Sequence, residues 1–231
     1  MRRASLAVAL ILAAANAAAG VREVELALPV RSKLALTGHE RLYVGPFIRE
    51  HKGDEKPAEF AFDVAAEFER YVRKLLRKES KFVLVPTLDG LRTPDADRSD
   101  PLRLAKDAEF WRDIGTRSGA DFVVAGSIDF QVQDRSGMKT EEYESPIDGR
   151  KYYRQRMVEQ TGFSYDILLN VYDARTGGLV FSQPLKDFQE KPERNFDEFT
   201  GMFSNLFALE NQLIGVFVPR TVKTKRMLFT P

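Results

Sequence analysis

The fold of this 231-residue chain is decided by the stretch Phe163-Ser-Tyr-Asp-Ile-Leu-Leu-Asn-Val-Tyr-Asp-Ala-Arg-Thr-Gly-Gly178. Apolar side chains alternate with polar ones along its first part, which is the period-two pattern of an antiparallel strand that buries one face. The two glycines at its end supply the positive φ that a tight turn needs. The pattern therefore predicts a hairpin, with a long first strand over 152–172 and a returning strand over 179–188.

Strands and helices predicted on either side of the hairpin complete an α+β arrangement. The other predicted strands are at 41–47, 81–85 and 121–132, with a short one near 33–36. Apolar residues at helical spacing predict a helix opened by Pro57, a second over 104–118, and a third that Asn195 caps and Pro219 ends. The order β-α-β-α-β-β-β-α predicts an α/β fold (an α+β sandwich), a mixed sheet flanked by about three helices.

The helical spacing also predicts which side chains face inward. We expect Phe68, Phe163, Ile167, Phe199 and Phe203 to share one core, because each lies on the apolar face of its element. The polar face of the first helix is expected to carry Glu67, Glu69, Arg73 and Lys74.

The first nineteen residues have the layout of a secretory signal peptide. Arg2 and Arg3 precede a short apolar run, and small residues around Ala17 and Ala19 provide cleavage sites. Cleavage would start the mature chain between Ala18 and Val21 and change its net charge from +1 to −1. So small a net charge argues against a nucleic-acid partner. The signal-peptide layout predicts an exported, periplasmic protein.

The remainder is expected to form one domain. We predict an extended lead-in over 20–40 and a single domain over 41–231, with a charged hairpin excursion near 134–156. The sequence contains no cysteine, which excludes disulfides, a thiol nucleophile, thiolate metal ligands and a lipid-modified cysteine. No later stretch approaches the length of a membrane helix, so neither a membrane span nor a lipid anchor is expected.

No group of residues forms a recognisable catalytic, cofactor or metal site. His39 and His51 lie in predicted loops and lack the spacing of paired metal ligands. Asp95, Asp97 and Asp100 cluster in a loop, but the glycine and distal glutamate of a calcium loop are missing. We therefore expect no catalytic residues, no metal and no cofactor.

The excursion at 134–156 carries the candidate partner interface. Tyr143, Tyr152, Tyr153 and Arg154 lie among charges of both signs. Aromatic side chains beside paired charges suit a protein–protein contact, because they contribute large contact area at low entropic cost. A solvated hairpin loop is the alternative.

Three motifs resemble one family in the order in which they occur. The strand Leu42-Tyr-Val-Gly-Pro-Phe47, the junction Gly119-Ala-Asp-Phe-Val-Val-Ala-Gly126 and the hairpin Val171-Tyr-Asp-Ala-Arg-Thr-Gly177 resemble those of the CsgG and TolB N-terminal-domain family of envelope proteins. PelC and the activator lipoproteins of penicillin-binding proteins are relatives in that family. The resemblance implies a non-enzymatic domain that binds other envelope proteins or assembles into rings. This chain departs from the lipoprotein members because it lacks their acylated cysteine.

The function expected from these observations is a binding or assembly module for other envelope proteins, without catalytic activity. The expected partner is an envelope protein or a second copy of the chain, and a small molecule is not favoured. The alternatives are a hydrolase acting on envelope polymer and a carrier of a small apolar ligand. Two convergent polar groups in a cleft would indicate the hydrolase, and an enclosed apolar pocket would indicate the carrier.

Overall fold

The computed structural model describes residues 20–50, 60–88 and 101–230. The strands are β1 (Gly20–Val30), β2 (Arg41–Arg49), β3 (Val83–Leu84), β4 (Phe122–Asp134), β5 (Gly137–Glu144), β6 (Lys151–Val158), β7 (Thr161–Asp173), β8 (Leu179–Lys191) and β9 (Arg220–Thr230). The helices are α1 (Val64–Glu79), the one-turn α2 (Pro101–Leu104), α3 (Ala108–Ser118) and α4 (Glu198–Phe217). These elements belong to two compact units, one made of the chain ends and one of residues 31–219.

A five-stranded mixed sheet organises the larger unit. Its order is β3-β2-β4-β7-β8, in which β2 runs parallel to β3 and β4, and the remaining pairs are antiparallel. Helices α1 and α4 pack on one face of the sheet, and α3 packs on the other, where Trp111 stacks on Tyr172 at a centroid distance of 4.1 Å. The predicted α+β fold with a mixed sheet and helices on it is confirmed.

The hairpin predicted from residues 163–178 is formed by β7 and β8. All five alternating apolar residues of β7 are buried, and Asp173 closes the turn by accepting hydrogen bonds from the backbone of Arg175 and Thr176. Gly177 has a φ of +71°, and a Cβ there would meet the carbonyl oxygen of Ala108. The predicted single strand over 152–172 is wrong, because the chain leaves the ladder at 159–160 and β6 pairs with β5 in a separate ribbon.

The helices begin later than their sequence signals indicate. Asp63, not Pro57, precedes α1, and its carboxylate accepts from the backbone N–H groups of Ala65 and Ala66. Asp197, not Asn195, caps α4, because Asn195 takes a positive φ of 58° that is incompatible with the cap position. The helix predicted over 104–118 is divided into α2 and α3, and Asp107 caps the second part.

The predicted strand at 33–36 is absent. The backbone N–H groups of Lys33 and Leu34 donate instead to the carbonyls of Gly215 and Val216 in the last turn of α4. These hydrogen bonds use the donors that a sheet ladder would need, so the segment packs without becoming a strand.

The smaller unit is a two-stranded antiparallel ribbon of β1 and β9. Salt bridges join Glu25 to Lys223 at 2.9 Å and Glu23 to Lys225 at 3.0 Å. Within the described ranges, no helix is both long and apolar enough to cross a membrane.

Candidate functional site

A row of three phenylalanines lies on the surface of α4. Phe199, Phe203 and Phe207 are spaced four residues apart and therefore share one side of the helix. Phe199 is 42% exposed, Phe203 is partly buried and Phe207 is 60% exposed. Large apolar side chains exposed in a contiguous patch mark interaction surfaces in soluble proteins. We call these three residues the phenylalanine row.

The row corrects the predicted core. Phe68, Phe163 and Ile167 are fully buried as expected, but Phe199 is exposed and Phe203 only partly buried. The buried side of α4 contains Gly201 and Asn205 instead. A Cβ at Gly201 would lie 2.3 Å from the Phe163 ring, and the Asn205 side-chain amide donates to the Phe163 carbonyl at 3.2 Å. The same side buries an apolar stripe of Met202, Leu206, Leu209 and Leu213, so both sides of α4 are apolar and the pattern alone does not distinguish them.

Aromatic contacts connect the row to α1 and to the segment before it. The rings of Phe199 and Phe203 are 4.8 Å apart, and those of Phe203 and Phe207 are 6.3 Å apart. Tyr71 of α1 contacts both Phe203 and Phe207 edge-on at 6.0 Å, and Phe62 contacts Phe199 at 5.2 Å. These contacts hold the exposed rings in place, so the row is preorganised before any partner binds.

Together, α1 and α4 enclose a surface groove of about 560 Å³, the α1–α4 groove. The α1 wall contributes Glu67, Arg70, Tyr71, Lys74, Leu75 and Lys78, and the α4 wall contributes the phenylalanine row and Glu210. The groove therefore has an aromatic wall and a wall rich in charged residues.

A hydrogen bond closes the floor of this groove. The Tyr71 hydroxyl donates to Glu210 Oε2 at 3.1 Å, which ties α1 to α4. Burial, and then the negative charge of Glu210, raise the pKa of Tyr71 well above its ordinary value. The phenol therefore keeps its proton, and its hydrogen bond to Glu210, to a higher pH than an exposed tyrosine would.

A second polar contact fixes α1 against the sheet. Glu69 and Arg73, predicted to be solvent-facing, are half-buried and form an ion pair at 3.1 Å. The Arg73 guanidinium also donates to the carbonyls of Val44 and Val85, and burial raises the pKa of Glu69. The pair occupies the space beside Gly45, where β2 bulges, and this packing positions the α1 wall of the groove.

The predicted interface residues lie on the β5–β6 ribbon, and the ribbon divides them between its two faces. Tyr143 and Tyr152 are directly opposite each other, with ring centroids 6.0 Å apart. Arg154 lies 5.1 Å above the Tyr143 ring and forms a salt bridge with Glu141 at 3.1 Å. This face therefore joins three of the four candidate residues.

Tyr153 lies on the other face of the ribbon. It is adjacent to Tyr152 along the strand, so its side chain points to the opposite side. Its hydroxyl donates to Glu142 at 3.0 Å, and Lys151 forms a salt bridge with the same carboxylate at 2.7 Å. One flat partner surface cannot contact all four candidate residues, and the role of the ribbon as an interface stays a prediction.

The other residues singled out in the sequence do not come together. His39 is exposed, and His51, Asp95, Asp97 and Asp100 lie outside the described residues. Over 20–50, 60–88 and 101–230, no group of three or more His, Asp or Glu side chains could hold a metal ion. The predicted signal peptide, 1–19, also lies outside the described ranges.

Comparison with known proteins gives structural likenesses only. No family model and no curated protein matches the sequence. Among solved structures, the chain is similar to lipoprotein GNA1162 from Neisseria meningitidis, with 11% identity, a TM-score of 0.40, and coverage of 76% of this chain and 98% of that one. It is also similar to the LpoB C-terminal domain from Escherichia coli, with 15% identity, a TM-score of 0.35, and 67% and 87% coverage. The PelC dodecamer from Paraburkholderia phytofirmans matches with 12% identity, a TM-score of 0.35, and 86% and 97% coverage. PelC is also a relative in the family that the sequence motifs resemble. Structural similarity at these TM-scores supports no conclusion about function.

Proposed function

We propose that this protein is a non-enzymatic binding or assembly module of the cell envelope that docks a partner protein in the α1–α4 groove. The observation that carries the proposal is the phenylalanine row, in which Phe199 is 42% and Phe207 60% exposed. Burial of such rings by a partner would contribute about 25 cal/mol of binding free energy for each Å² of apolar surface removed from water. Aromatic side chains held in a preformed depression are typical binding hot spots.

The groove is better suited to this role than the β5–β6 ribbon. Its walls are two helices packed on a five-stranded sheet, and the Tyr71–Glu210 and Glu69–Arg73 contacts hold them in place. A two-stranded ribbon with exposed faces has little packing of its own to fix its side chains. A site on rigid elements loses less conformational entropy when a partner binds.

The cellular location in this proposal rests on the sequence. The n-region, apolar run and small-residue cleavage sites of 1–19 support export, and the cysteine-free composition is compatible with an oxidising compartment. The partner is therefore proposed to be another envelope protein.

Affinity purification from the native envelope tests the proposal. Full-length protein carrying Phe207→Asp should lose a partner that co-purifies stoichiometrically with the wild type. Val180→Asp is the matched control, because Val180 is an exposed apolar residue on β8, outside the groove. Equal recovery with wild type and Phe207→Asp would contradict docking in the groove.

A carrier of a small apolar ligand is the second candidate. The α1–α4 groove is open and has a charged wall, unlike the enclosed apolar pocket expected of a carrier, but its volume of about 560 Å³ falls within the ~300–1,000 Å³ range of small-molecule sites. Native mass spectrometry of the purified protein would detect a retained ligand. A ligand that is displaced by Phe203→Trp would favour the carrier over the docking module.

A further inference from the structure

A second row of side chains runs along the α1 wall of the groove. Arg70, Lys74 and Lys78 are spaced four residues apart, so they form a basic ridge on one side of α1. Eight residues of helix span ~12 Å, and the phenylalanine row has the same spacing and length. The groove therefore presents an apolar row and a basic ridge of equal length.

The α4 wall carries its only groove-lining acid, Glu210, beyond the end of the phenylalanine row. No residue from 199 to 209 is charged. Two ridge cations have acidic neighbours, since Arg70 pairs with Glu67 at 2.5 Å and Lys78 with Glu79 at 2.8 Å, but the basic side chains are 72% and 70% exposed and their acidic partners only 16% and 39%. Glu210 accepts from Tyr71 at 3.1 Å and keeps its negative charge at the end of the row. Lys74 lies midway along the ridge, is exposed, and has no ion pair with any residue in the described ranges. The most exposed charges beside the aromatic row are therefore basic.

We propose that the occupant of the groove is an amphipathic helix of the partner protein, with acidic residues along the flank that faces α1. This inference rests on the docking function proposed above. Helices that bind in grooves anchor themselves with apolar residues at i, i+3 or i+4, and i+7, a span that matches the phenylalanine row. Glutamate or aspartate on one flank complements the basic ridge, which gives orientation and a faster association rate.

An anionic membrane surface is the other partner that basic and aromatic side chains of a protein can contact together. The position of Phe203 favours a helix, because this central ring is partly buried at the floor between two helices. A helix can enter such a concave site, whereas insertion into a lipid surface requires apolar side chains that project outward.

Selection from a display library of amphipathic helices tests both proposals. The library is selected on full-length wild-type protein and, in parallel, on Phe207→Asp, on the double variant Lys74→Glu/Lys78→Glu and on Arg77→Glu. Arg77 is an exposed basic residue of α1 that does not line the groove, so its variant controls for reversal of a charge on α1 outside the groove. Thermal midpoints of all variants show that each remains folded.

We expect wild-type protein and Arg77→Glu to enrich helices with a glutamate- or aspartate-rich flank. Such helices should bind about tenfold more tightly than the same helices with lysine on that flank. This difference in affinity should shrink at high salt, which screens the charges. The double variant should reverse the preference. Enriched helices without a charge bias would overturn the acidic occupant but leave docking intact. Equal enrichment on wild type and Phe207→Asp would contradict docking itself. Binding of the same proteins to phosphatidylglycerol vesicles is measured by co-sedimentation. Vesicle binding by the wild type that is lost in Phe207→Asp and in the double variant, without helix enrichment, would identify a membrane partner instead.

Discussion

At the residue scale, an identical side chain has different roles at different positions. Phe68 is fully buried and contacts Phe47 edge-on at 4.8 Å, whereas Phe207 is 60% exposed. Sequence periodicity assigns Phe68 and Phe199 alike to an apolar face, although Phe199 is 42% exposed. Apolar residues lie on both sides of α4, and the side that carries Met202 and Leu206 is turned inward, with Gly201 and Asn205 packed against Phe163.

Truncating these two phenylalanines should therefore have different effects on stability. Phe68→Ala leaves a cavity and should lower the free energy of unfolding by about 3–5 kcal/mol. Phe207→Ala removes a largely solvated ring and should change it by less than about 0.5 kcal/mol. Urea denaturation of both variants measures the difference, and a large loss with Phe207→Ala would show that the row is part of the core.

Glu40 provides a pH-dependent prediction. Slight burial opposes its charge, but hydrogen bonds from the backbone and hydroxyl of Thr37 and the N–H of Gly38 outweigh this and lower the pKa of Glu40 to about 2. Its stabilising contribution is therefore present above pH ~4.5 and disappears as the pH falls towards about 2. Glu40→Gln should be less stable than wild type at pH 7.

Denaturation of both proteins from pH 7 to pH 3 measures this dependence. The gap between their urea midpoints should narrow below pH ~4.5. A gap that is constant over this range would contradict the hydrogen-bonded carboxylate.

At the element scale, the sequence predicted the β7–β8 hairpin and the apolar face of α1 better than the element boundaries. The alternation along β7 and the apolar side of α1 are found as expected, because burial of an alternating or helical pattern leaves few arrangements. The helix starts were wrong, because several residues before α1 and α4 could serve as caps. The local backbone, such as the positive φ of Asn195, selects among them.

Substitution of the two cap candidates separates these assignments. Asp197→Ala removes the acceptor for the Thr200 N–H and should lower the free energy of unfolding by about 1 kcal/mol. Asn195→Gly should have no destabilising effect or a slightly stabilising one, because glycine adopts a positive φ without strain. The opposite ranking in thermal denaturation would show that Asn195 is the cap.

The β5–β6 ribbon is tested by removing its aromatic rings. Replacing Tyr143, Tyr152 and Tyr153 with alanine should weaken association with a partner or a second copy while leaving the thermal midpoint nearly unchanged, because all three side chains are exposed. Tyr143→Ala/Tyr152→Ala alone should reproduce the effect if the face that carries Arg154 makes the contact. Sedimentation velocity compares the variants, and unaltered association would remove the ribbon as an interface.

At the scale of the whole molecule, the candidate site arises from elements far apart in sequence. The α1 wall and the α4 wall are separated by about 120 residues of sequence, and both helices pack on the same face of the sheet, which brings them together. The tyrosine-rich ribbon was visible as a local cluster, whereas the groove was not, because neither of its walls is unusual alone. The pairing of β1 with β9, at opposite ends of the chain, could not be predicted for the same reason.

Photo-crosslinking in living cells tests the central claim, docking in the α1–α4 groove, most directly. Benzoylphenylalanine is placed at Phe199 or Phe207 in the groove, at Tyr153 on the ribbon and at Val180 as an exposed control. We predict a discrete adduct with one envelope protein from Phe199 and Phe207, and none from Val180. Adducts that form equally at Val180, or only at Tyr153, would contradict the claim.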